Sequence, residues 1–262
     1  MVVIGERING MFKDMRRAIH DRNKKAVQDL AKRELAAGAD VLDVNVGTAS
    51  AKPEDAMCWL VETIREVTSA PVAIDSPKES VMRAGLAACA GEVMINSTTA
   101  KERDLATLLP LARERNASIV GLTIDEKGVP ADVSGRVEIA MRIVAAAMEH
   151  GIPMEKLYID PVILPVRADQ KAPASVLDVI RQLSMLSDPP PRAVLGLSNV
   201  SQGAAERPLL NRVFLTMAIS SGLNAAILDP LDTELMNTMI AAEVLANRAI
   251  YSDGFLKAYR AK

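Results

Sequence analysis

The stretch Ala193-Val-Leu-Gly-Leu-Ser-Asn199-Val-Ser-Gln-Gly-Ala-Ala-Glu-Arg207 shows the strand, the polar loop and the approach to a helix from which the chain is built. It begins as a short apolar run, which predicts a buried β-strand. The run then breaks into small hydroxyl and amide side chains, and helix-forming residues resume after Pro208. Such polar groups are costly in a core unless they are paired, at about 1–3 kcal/mol each, but they suit a binding site for a polar ligand.

The same unit recurs along the whole chain. Short β-branched runs alternate with longer segments in which apolar residues are spaced as on one face of a helix. The eight predicted strands are residues 2–8, 40–46, 72–75, 92–96, 118–124, 157–160, 193–197 and 225–229. Four glycines stand between a predicted helix and the next predicted strand, where a left-handed helix end is favoured: Gly38, Gly91, Gly151 and Gly222.

Eight strand–helix units in 262 residues predict a (β/α)₈ TIM barrel, an α/β fold built here as a single domain. The competing fold, a doubly wound open sheet, predicts a glycine-rich phosphate turn after the first strand. The chain instead continues as Glu6-Arg-Ile-Asn-Gly10. We expect one domain over residues 1–262, with residues 247–262 as an extra C-terminal helix. Ser76-Pro77-Lys78-Glu79 predicts a capping box with proline at the first helical position.

Composition excludes several classes of function. With 31 basic and 33 acidic residues, the chain has no bulk charge to attract nucleic acid or a membrane surface. Its two cysteines and two histidines favour neither a disulfide framework nor a zinc site built by the protein. No signal peptide is recognisable, and no apolar run approaches the length of about 20 residues that spans a bilayer. We therefore expect a cytoplasmic, soluble protein.

Polar residues stand at the carboxyl ends of nearly all the predicted strands, where barrel enzymes keep their reacting groups. In chain order they are Glu6, Arg7, Asn9, Asp43, Asn45, Asp75, Asn96, Asp125, Glu126, Asp160, Ser198, Asn199 and Asp229. Any one of them has a simpler explanation, because Asp and Asn are common in turns and helix caps. Capping does not require acids inside strands, as at Asp43, Asp75 and Asp160. The set as a whole therefore favours a shared site.

The chemistry of this set favours a particular class of ligand. Carboxylates and amides, with few cations and hardly any aromatic residues, suit a flat heterocycle rich in N–H donors, such as an aminopyrimidinone. A phosphorylated sugar is disfavoured because no glycine-rich loop follows the last two strands. A Schiff-base aldolase is disfavoured because no lysine stands at a strand end. A divalent cation held by several carboxylates remains the weaker alternative, and we predict no metal ligands.

Five motifs spread over almost the whole chain resemble the pterin-binding barrels. That family includes dihydropteroate synthases, the folate module of cobalamin-dependent methionine synthase and corrinoid-protein methyltransferases. The motifs are Gly38-Ala-Asp-Val-Leu-Asp43-Val-Asn45, Val72-Ala-Ile-Asp75-Ser, Met94-Ile-Asn96-Ser, Ile159-Asp160-Pro and Gly196-Leu-Ser-Asn199-Val-Ser.

Within the family, Glu6-Arg-Ile-Asn9 and Leu197-Ser-Asn-Val-Ser201 resemble the methyltetrahydrofolate:corrinoid/iron–sulfur protein methyltransferases. A dihydropteroate synthase is expected to carry Ser-Arg-Lys at the seventh strand and a basic residue at the eighth. Those places read Ser198-Asn-Val and Leu228-Asp-Pro here, so synthase chemistry is not supported.

The resemblance implies a role for each matching residue. Hydrogen bonds to the pterin edge are implied for Asp75, Asn96 and Asp160. Asn199 would lie near N5 and, with Asp160 or water relaying a proton, would be catalytic. Ligand contacts are also implied for Gln202 and for Arg207, whose guanidinium suits the carboxylate tail of a folate. Lining or supporting positions are implied for Asp43, Gly196 and Ser198.

The reaction that the resemblance implies is transfer of the N5-methyl group of 5-methyltetrahydrofolate to the Co(I) of a corrinoid. The products would be tetrahydrofolate and methyl-Co(III), in the acetyl-CoA pathway. The corrinoid would belong to a partner, the corrinoid/iron–sulfur protein, and the family suggests a homodimer. Three alternatives remain open: a methyltransferase for another corrinoid acceptor, a folate-binding subunit without turnover, and a barrel enzyme that uses a phosphorylated substrate.

Overall fold

A computed structural model describes residues 1–260 as a closed barrel of eight parallel strands, each hydrogen-bonded to its neighbours in sequence order. The strands are β1 Val2–Asn9, β2 Val41–Asn45, β3 Val72–Asp75, β4 Val93–Thr99, β5 Ser118–Leu122, β6 Leu157–Asp160, β7 Arg192–Gly196 and β8 Ala225–Leu228. The ring closes where Val2 of β1 pairs with Ala225 of β8. The predicted (β/α)₈ barrel is therefore confirmed.

Ten α-helices follow or flank the strands within the described residues. They are α1 Lys13–His20, α2 Lys24–Ala36, α3 Pro53–Arg65, α4 Glu79–Ala88, α5 Glu102–Glu114, α6 Val133–Glu149, α7 Ala172–Leu183, α8 Arg207–Ser221, α9 Thr233–Leu245 and α10 Phe255–Arg260. Short 3₁₀ helices occur at Met154–Lys156 and Leu197–Ser201. No helix of residues 1–260 is long and apolar enough to cross a membrane.

The apolar core has two separate parts. The larger lies between the strands and the surrounding helices, where alternate strand residues meet the apolar faces of the helices. The smaller fills the inside of the barrel and is called the interior cluster here: Ile4, Val41, Ala73, Met94, Val120, Tyr158, Val194 and Ala225. Because successive side chains of a strand point to opposite faces, the residue two positions after each member also faces the barrel interior.

Local signals at the helix ends succeed in one case and fail in another. All four predicted glycines adopt positive φ values, between 67° at Gly151 and 117° at Gly222. Gly38, Gly151 and Gly222 stand at helix ends as predicted, but Gly91 does not, because α4 already ends in an extended C-cap at Cys89. The predicted capping box is wrong, because α4 begins only at Glu79. The hydroxyl of Ser76 instead accepts a hydrogen bond from the backbone N–H of Lys78, at 3.1 Å. Ser76 thus closes a turn in the loop and does not cap the helix.

The C-terminal segment is partly helical. Residues 255–260 form α10, whose Phe255 and Leu256 pack against the outer core, whereas residues 247–254 are not helical. The last two positions of the predicted extra helix, 261 and 262, lie outside the described residues. The helix that was predicted from residue 247 therefore begins at residue 255.

Gly85 sets the distance between α4 and the strand that carries Asp75. A Cβ at this position would lie 2.8 Å from Ile74 Cγ2 and 2.8 Å from Met57 Cγ. We predict that Gly85→Ala lowers the free energy of unfolding by about 1–3 kcal/mol through overpacking. A helix-propensity gain of about 1 kcal/mol opposes this cost, so we expect a net loss of up to about 2 kcal/mol. Urea denaturation measures it, with Gly254→Ala as control, because nothing lies within 4 Å of a Cβ there. Increased stability of Gly85→Ala would contradict the packing argument.

Candidate functional site

A layer of polar side chains lies inside the barrel, directly above the interior cluster. On six strands, the residue two positions beyond a cluster member is a polar residue or glycine: Glu6, Asp43, Asp75, Asn96, Asp160 and Gly196. The period of two therefore brings side chains from separate strands to one end of the barrel interior. That end is the carboxyl end of the strands, where barrel enzymes carry their active sites.

Two amide–carboxylate pairs order one side of this layer. Asn96 Nδ2 donates to Asp43 Oδ1 at 2.9 Å, and both residues are buried, at 8% and 2% exposure. Asn45 Nδ2 donates to Asp75 Oδ2 at 2.6 Å. No other group in residues 1–260 is hydrogen-bonded to the Asp75 carboxylate, so its Oδ1 is free to accept from a ligand. Asp43 instead accepts from Asn96 through one oxygen and so orients that side chain. Asp43 is therefore a supporting residue.

Asp160 and Asn199 meet around Gly196 on the other side of the layer. Asp160 Oδ1 accepts from the backbone N–H of Val162 at 2.7 Å, and Oδ2 accepts from that of Gly196 at 3.3 Å. The amide of Asn199 lies over Gly196, since a Cβ there would come within 2.9 Å of Asn199 Nδ2. Asn199 is exposed, and it belongs to the 3₁₀ helix Leu197–Ser201 that follows β7. A primary amide and a buried carboxyl group thus share one corner.

Glu6 and Ser198 link the first strand to the loop after the seventh. Ser198 Oγ donates to Glu6 Oε2 at 3.0 Å. Arg207 holds the same loop from outside, because its guanidinium donates to the Ser198 carbonyl and to Ser201 Oγ, both at 3.2 Å. Gln202 is exposed beside it. Arg207 therefore has a structural role in the free protein, and its contact with a folate tail stays a prediction.

Burial raises the pKa of every interior carboxyl group for which a shift is resolved. Desolvation raises the pKa of Glu6 to about 7 and that of Asp160 to about 6. The pKa of Asp43 is raised well above its ordinary value by desolvation and by the charge of Asp75. Desolvation also raises the pKa of Asp75, although the Asn45 hydrogen bond opposes this. Such a site favours a neutral or cationic ligand that donates hydrogen bonds, because that ligand stabilises the ionised carboxylates.

A cavity of about 500 Å³ adjoins the polar layer on the side of β2 and β3. Its lining includes Asn45 and Asp75 together with Lys78 from the loop before α4. A larger cavity of about 1300 Å³ lies outside the barrel, between α2, α9 and α10, and it contains none of the predicted site residues. The smaller cavity is the one that belongs to the site, since small-molecule sites combine apolar walls with a few convergent polar groups.

Some strand-end residues do not join the layer. Asn9 closes its own turn by accepting from the backbone N–H of Met11, and Asp125 forms an ion pair with Arg142 on the protein surface. Asp229 accepts from the backbone N–H of Leu231. For Asn9 and Asp125 these local contacts are a sufficient explanation, whereas Asp229 Oδ2 also lies 3.9 Å from Arg7 Nε and its charge helps to raise the pKa of Glu6. Within residues 1–260, no group of three or more His, Cys, Asp or Glu side chains is arranged to hold a metal ion.

Three residues that matter here were not assigned to the site from the sequence. Asn45 and Glu6 stood among the strand-end residues, but only the hydrogen bonds to Asp75 and Ser198 distinguish them from turn residues. Glu34 of α2 has no exposed surface, and its Oε1 accepts from the backbone N–H of Arg7 at 3.0 Å. A signal was present, because Glu34 continues the helical spacing of the buried Val27, Leu30 and Ala31.

The chain is similar to several known proteins. The family model described as "Pterin binding enzyme" matches residues 12–229. A methylcorrinoid:tetrahydrofolate methyltransferase of Eubacterium limosum is 27% identical over 99% of this chain and 96% of its own length. A methionine synthase of Mycobacterium tuberculosis is 30% identical over 87% of this chain, which spans 20% of that protein.

Solved structures give the same architecture. The dihydropteroate synthase (FolP) of Thermus thermophilus superposes with a TM-score of 0.68. That comparison covers 95% of this chain and 94% of the other, at 18% sequence identity. At this identity the likeness shows the shared barrel, and the chemistry has to be argued from the site.

The buried Glu34 predicts a pH dependence of stability. Desolvation raises its pKa from the ordinary 4.5 to about 8. The folded state therefore keeps the proton that the unfolded state releases, so the free energy of unfolding falls as pH rises from about 5 to 8. We predict that Glu34→Gln, which stays neutral, makes this fall shallower. Urea denaturation of both proteins at pH 5, 6.5 and 8 measures the slopes, and parallel slopes would contradict the prediction.

Proposed function

The chain belongs to the family of pterin-binding enzymes, and we propose that it transfers a methyl group between N5 of a reduced folate and the cobalt of a corrinoid carried by another protein. The observation that carries the proposal is the corner in which the Asn199 amide lies over Gly196 beside the buried Asp160. The methyltransferase of Eubacterium limosum supports it, because that relative aligns over nearly its whole length.

Asp75, Asn96 and Asp160 are proposed to bind the pteridine edge. The free Oδ1 of Asp75 accepts from ring N–H groups, while Asn45 holds Oδ2. Asn96 is fixed by Asp43, so its carbonyl oxygen is oriented before the ligand arrives. The donor-rich edge of a pteridine suits acceptors whose pKa values are raised by burial, because each hydrogen bond stabilises an ionised carboxylate that burial has partly desolvated.

Asn199 and Asp160 are proposed to assist departure of the amine nitrogen. A tertiary amine is a poor leaving group as an anion, so N5 needs a hydrogen bond or a proton while its bond to carbon breaks. The Asn199 amide donates a hydrogen bond that strengthens as negative charge develops. Desolvation brings the pKa of Asp160 to about 6, so this group exchanges a proton with N5 near neutral pH, directly or through water.

The direction and the partner are finer parts of the proposal. We infer transfer from 5-methyltetrahydrofolate to Co(I) of a corrinoid/iron–sulfur protein in the acetyl-CoA pathway, with tetrahydrofolate and methyl-Co(III) as products. The second candidate is transfer from a methylcorrinoid to tetrahydrofolate, which the name of the Eubacterium limosum relative favours. The same residues serve both directions, because the proton that N5 gains in one is the proton it loses in the other.

We also propose that the protein forms a homodimer and is located in the cytoplasm. Leu209, Val213 and Met217 are about half exposed at intervals of four residues along α8, which forms an apolar stripe suited to a second copy of the chain. Cys58 and Cys89 are both free thiols, in keeping with a reducing compartment.

Removal of the Asn199 amide tests the mechanism. We predict that Asn199→Ala slows methyl transfer by roughly two to three orders of magnitude, by analogy with the loss of one oxyanion-hole donor. Asn199→Asp, which keeps the size but loses the N–H donor, is expected to lose activity to a similar extent. Stopped-flow spectra of the corrinoid measure the rate. Near-normal transfer by Asn199→Asp would show that donation from this side chain is not used.

Asp75 tests the binding site separately. We predict that Asp75→Asn weakens methyltetrahydrofolate binding by about 1–3 kcal/mol, since an amide in this position leaves a ligand donor without its charged acceptor. Calorimetry measures the affinity. Asp125→Asn is the control, because Asp125 forms its ion pair with Arg142 outside the barrel. Equal affinity of the two variants would contradict the assignment of the pterin edge to Asp75.

A further inference from the structure

The backbone is strained two residues after Asp160. Val162 has a φ of +60°, in the left-handed region that a β-branched residue rarely occupies. Such a conformation costs about 1–3 kcal/mol and persists only where the surroundings enforce it. Its backbone N–H donates to Asp160 Oδ1 at 2.7 Å. The strained turn therefore directs a hydrogen-bond donor at one oxygen of the Asp160 carboxyl group.

Arg136 in the first turn of α6 holds this turn from outside the barrel. Its side chain has no exposed surface. Nη1 donates to the carbonyl oxygens of Pro161, at 2.9 Å, and Val162, at 3.1 Å. Nε donates to the Pro130 carbonyl at 2.8 Å. The planar guanidinium thus joins the loop before α6 to both residues that follow Asp160.

The placement of Arg136 is unfavourable in two respects. Burial of a cation costs several kcal/mol unless other groups compensate, and a cation in the first turn of a helix opposes the helix dipole. Nη2 is buried without a hydrogen-bond partner in residues 1–260. Asp132, Asp160 and Asp169 supply attractive charge. An apolar side chain would fill this place at lower cost but could not hold the two carbonyls.

We propose that Arg136 is a positioning residue for Asp160: its guanidinium enforces the left-handed turn at Val162, and this turn fixes the direction of the Asp160 carboxyl group in the site. The importance of that direction for methyl transfer rests on the proposed function. The contact itself is a property of the free protein.

The pKa of Asp160 reports on the geometry of the turn at Val162, because the backbone N–H of that turn contributes to it. Desolvation raises its pKa to about 6, whereas the N–H groups of Val162 and Gly196 and the charge of Arg136 oppose the rise. On the neighbouring strands, Leu122 stands opposite Asp160 on β5, and Gly196 follows on β7. Neither residue has a titratable group in its side chain. The charged groups around Arg136 are Asp132, Asp160 and Asp169.

Arg136→Lys separates geometry from charge, because lysine keeps the positive charge but lacks the planar fork. We expect the pKa of Asp160, followed by carboxyl ¹³C NMR in folate-free protein, to rise by about one unit as the Val162 hydrogen bond loosens. Arg142→Lys is the matched control on the same helix, since Arg142 bonds to Asp125 on the surface. Titration of Arg136→Lys like the unmodified protein would overturn the proposal.

A second variant tests the strain directly. Glycine adopts a left-handed φ without cost, so the turn in Val162→Gly needs less enforcement. We expect Arg136→Lys combined with Val162→Gly to restore the Asp160 titration toward that of the unmodified protein. The double variant also supplies the measurement if Arg136→Lys alone does not fold. A pKa that stays raised in the double variant would overturn the role given to the strained turn.

Folate affinity distinguishes this proposal from the proposed function. Calorimetry on Arg136→Lys is expected to show about a tenfold loss of methyltetrahydrofolate affinity, comparable to one buried hydrogen bond. A shifted Asp160 titration with unchanged affinity would support positioning and would contradict the role of Asp160 in binding. If Asp160 titrates normally in Arg136→Lys and this variant still binds folate, the positioning role of Arg136 is overturned and the proposed function is unaffected.

Discussion

The burial of several carboxyl groups at one end of a closed barrel is the constraint on which the rest of the structure depends. Glu6, Asp43, Asp75 and Asp160 stand above an apolar interior cluster, and desolvation raises the pKa of all four. Each of them accepts a hydrogen bond from an amide, a hydroxyl or a backbone N–H group. These bonds limit the cost of burial and at the same time fix the direction of each carboxyl group.

The same constraint links the family assignment to the proposed chemistry. A pterin-binding barrel needs acceptors for a donor-rich ring, and this chain supplies them from separate strands. In the proposed mechanism the group beside N5 is the Asn199 amide, which lies over a residue without a side chain. A larger residue at position 196 would displace this amide from its place.

Much of this arrangement could be predicted from the sequence because it depends on local periodicity. The barrel follows from alternating strand and helix patterns, and the interior position of Asp43, Asp75, Asn96 and Asp160 follows from the period of two along each strand. Contacts between distant residues could not be predicted in this way. The support of Asp160 by Arg136 joins positions whose sequence patterns show no relation. Ser76 illustrates a different error. Its local sequence fits a helix cap, but in the structure its side chain closes a turn of the loop.

The order of strands around the barrel has a consequence for biosynthesis. The first strand pairs with the eighth, and the hydroxyl of Ser198 reaches a carboxyl group 192 positions earlier in the chain. Contacts of such long range slow folding, because closure of the loop between them is entropically costly. A ribosome-bound chain that ends before the last strand would have an open sheet with two unpaired edges. Closure of the ring therefore has to wait until the last strand has been made.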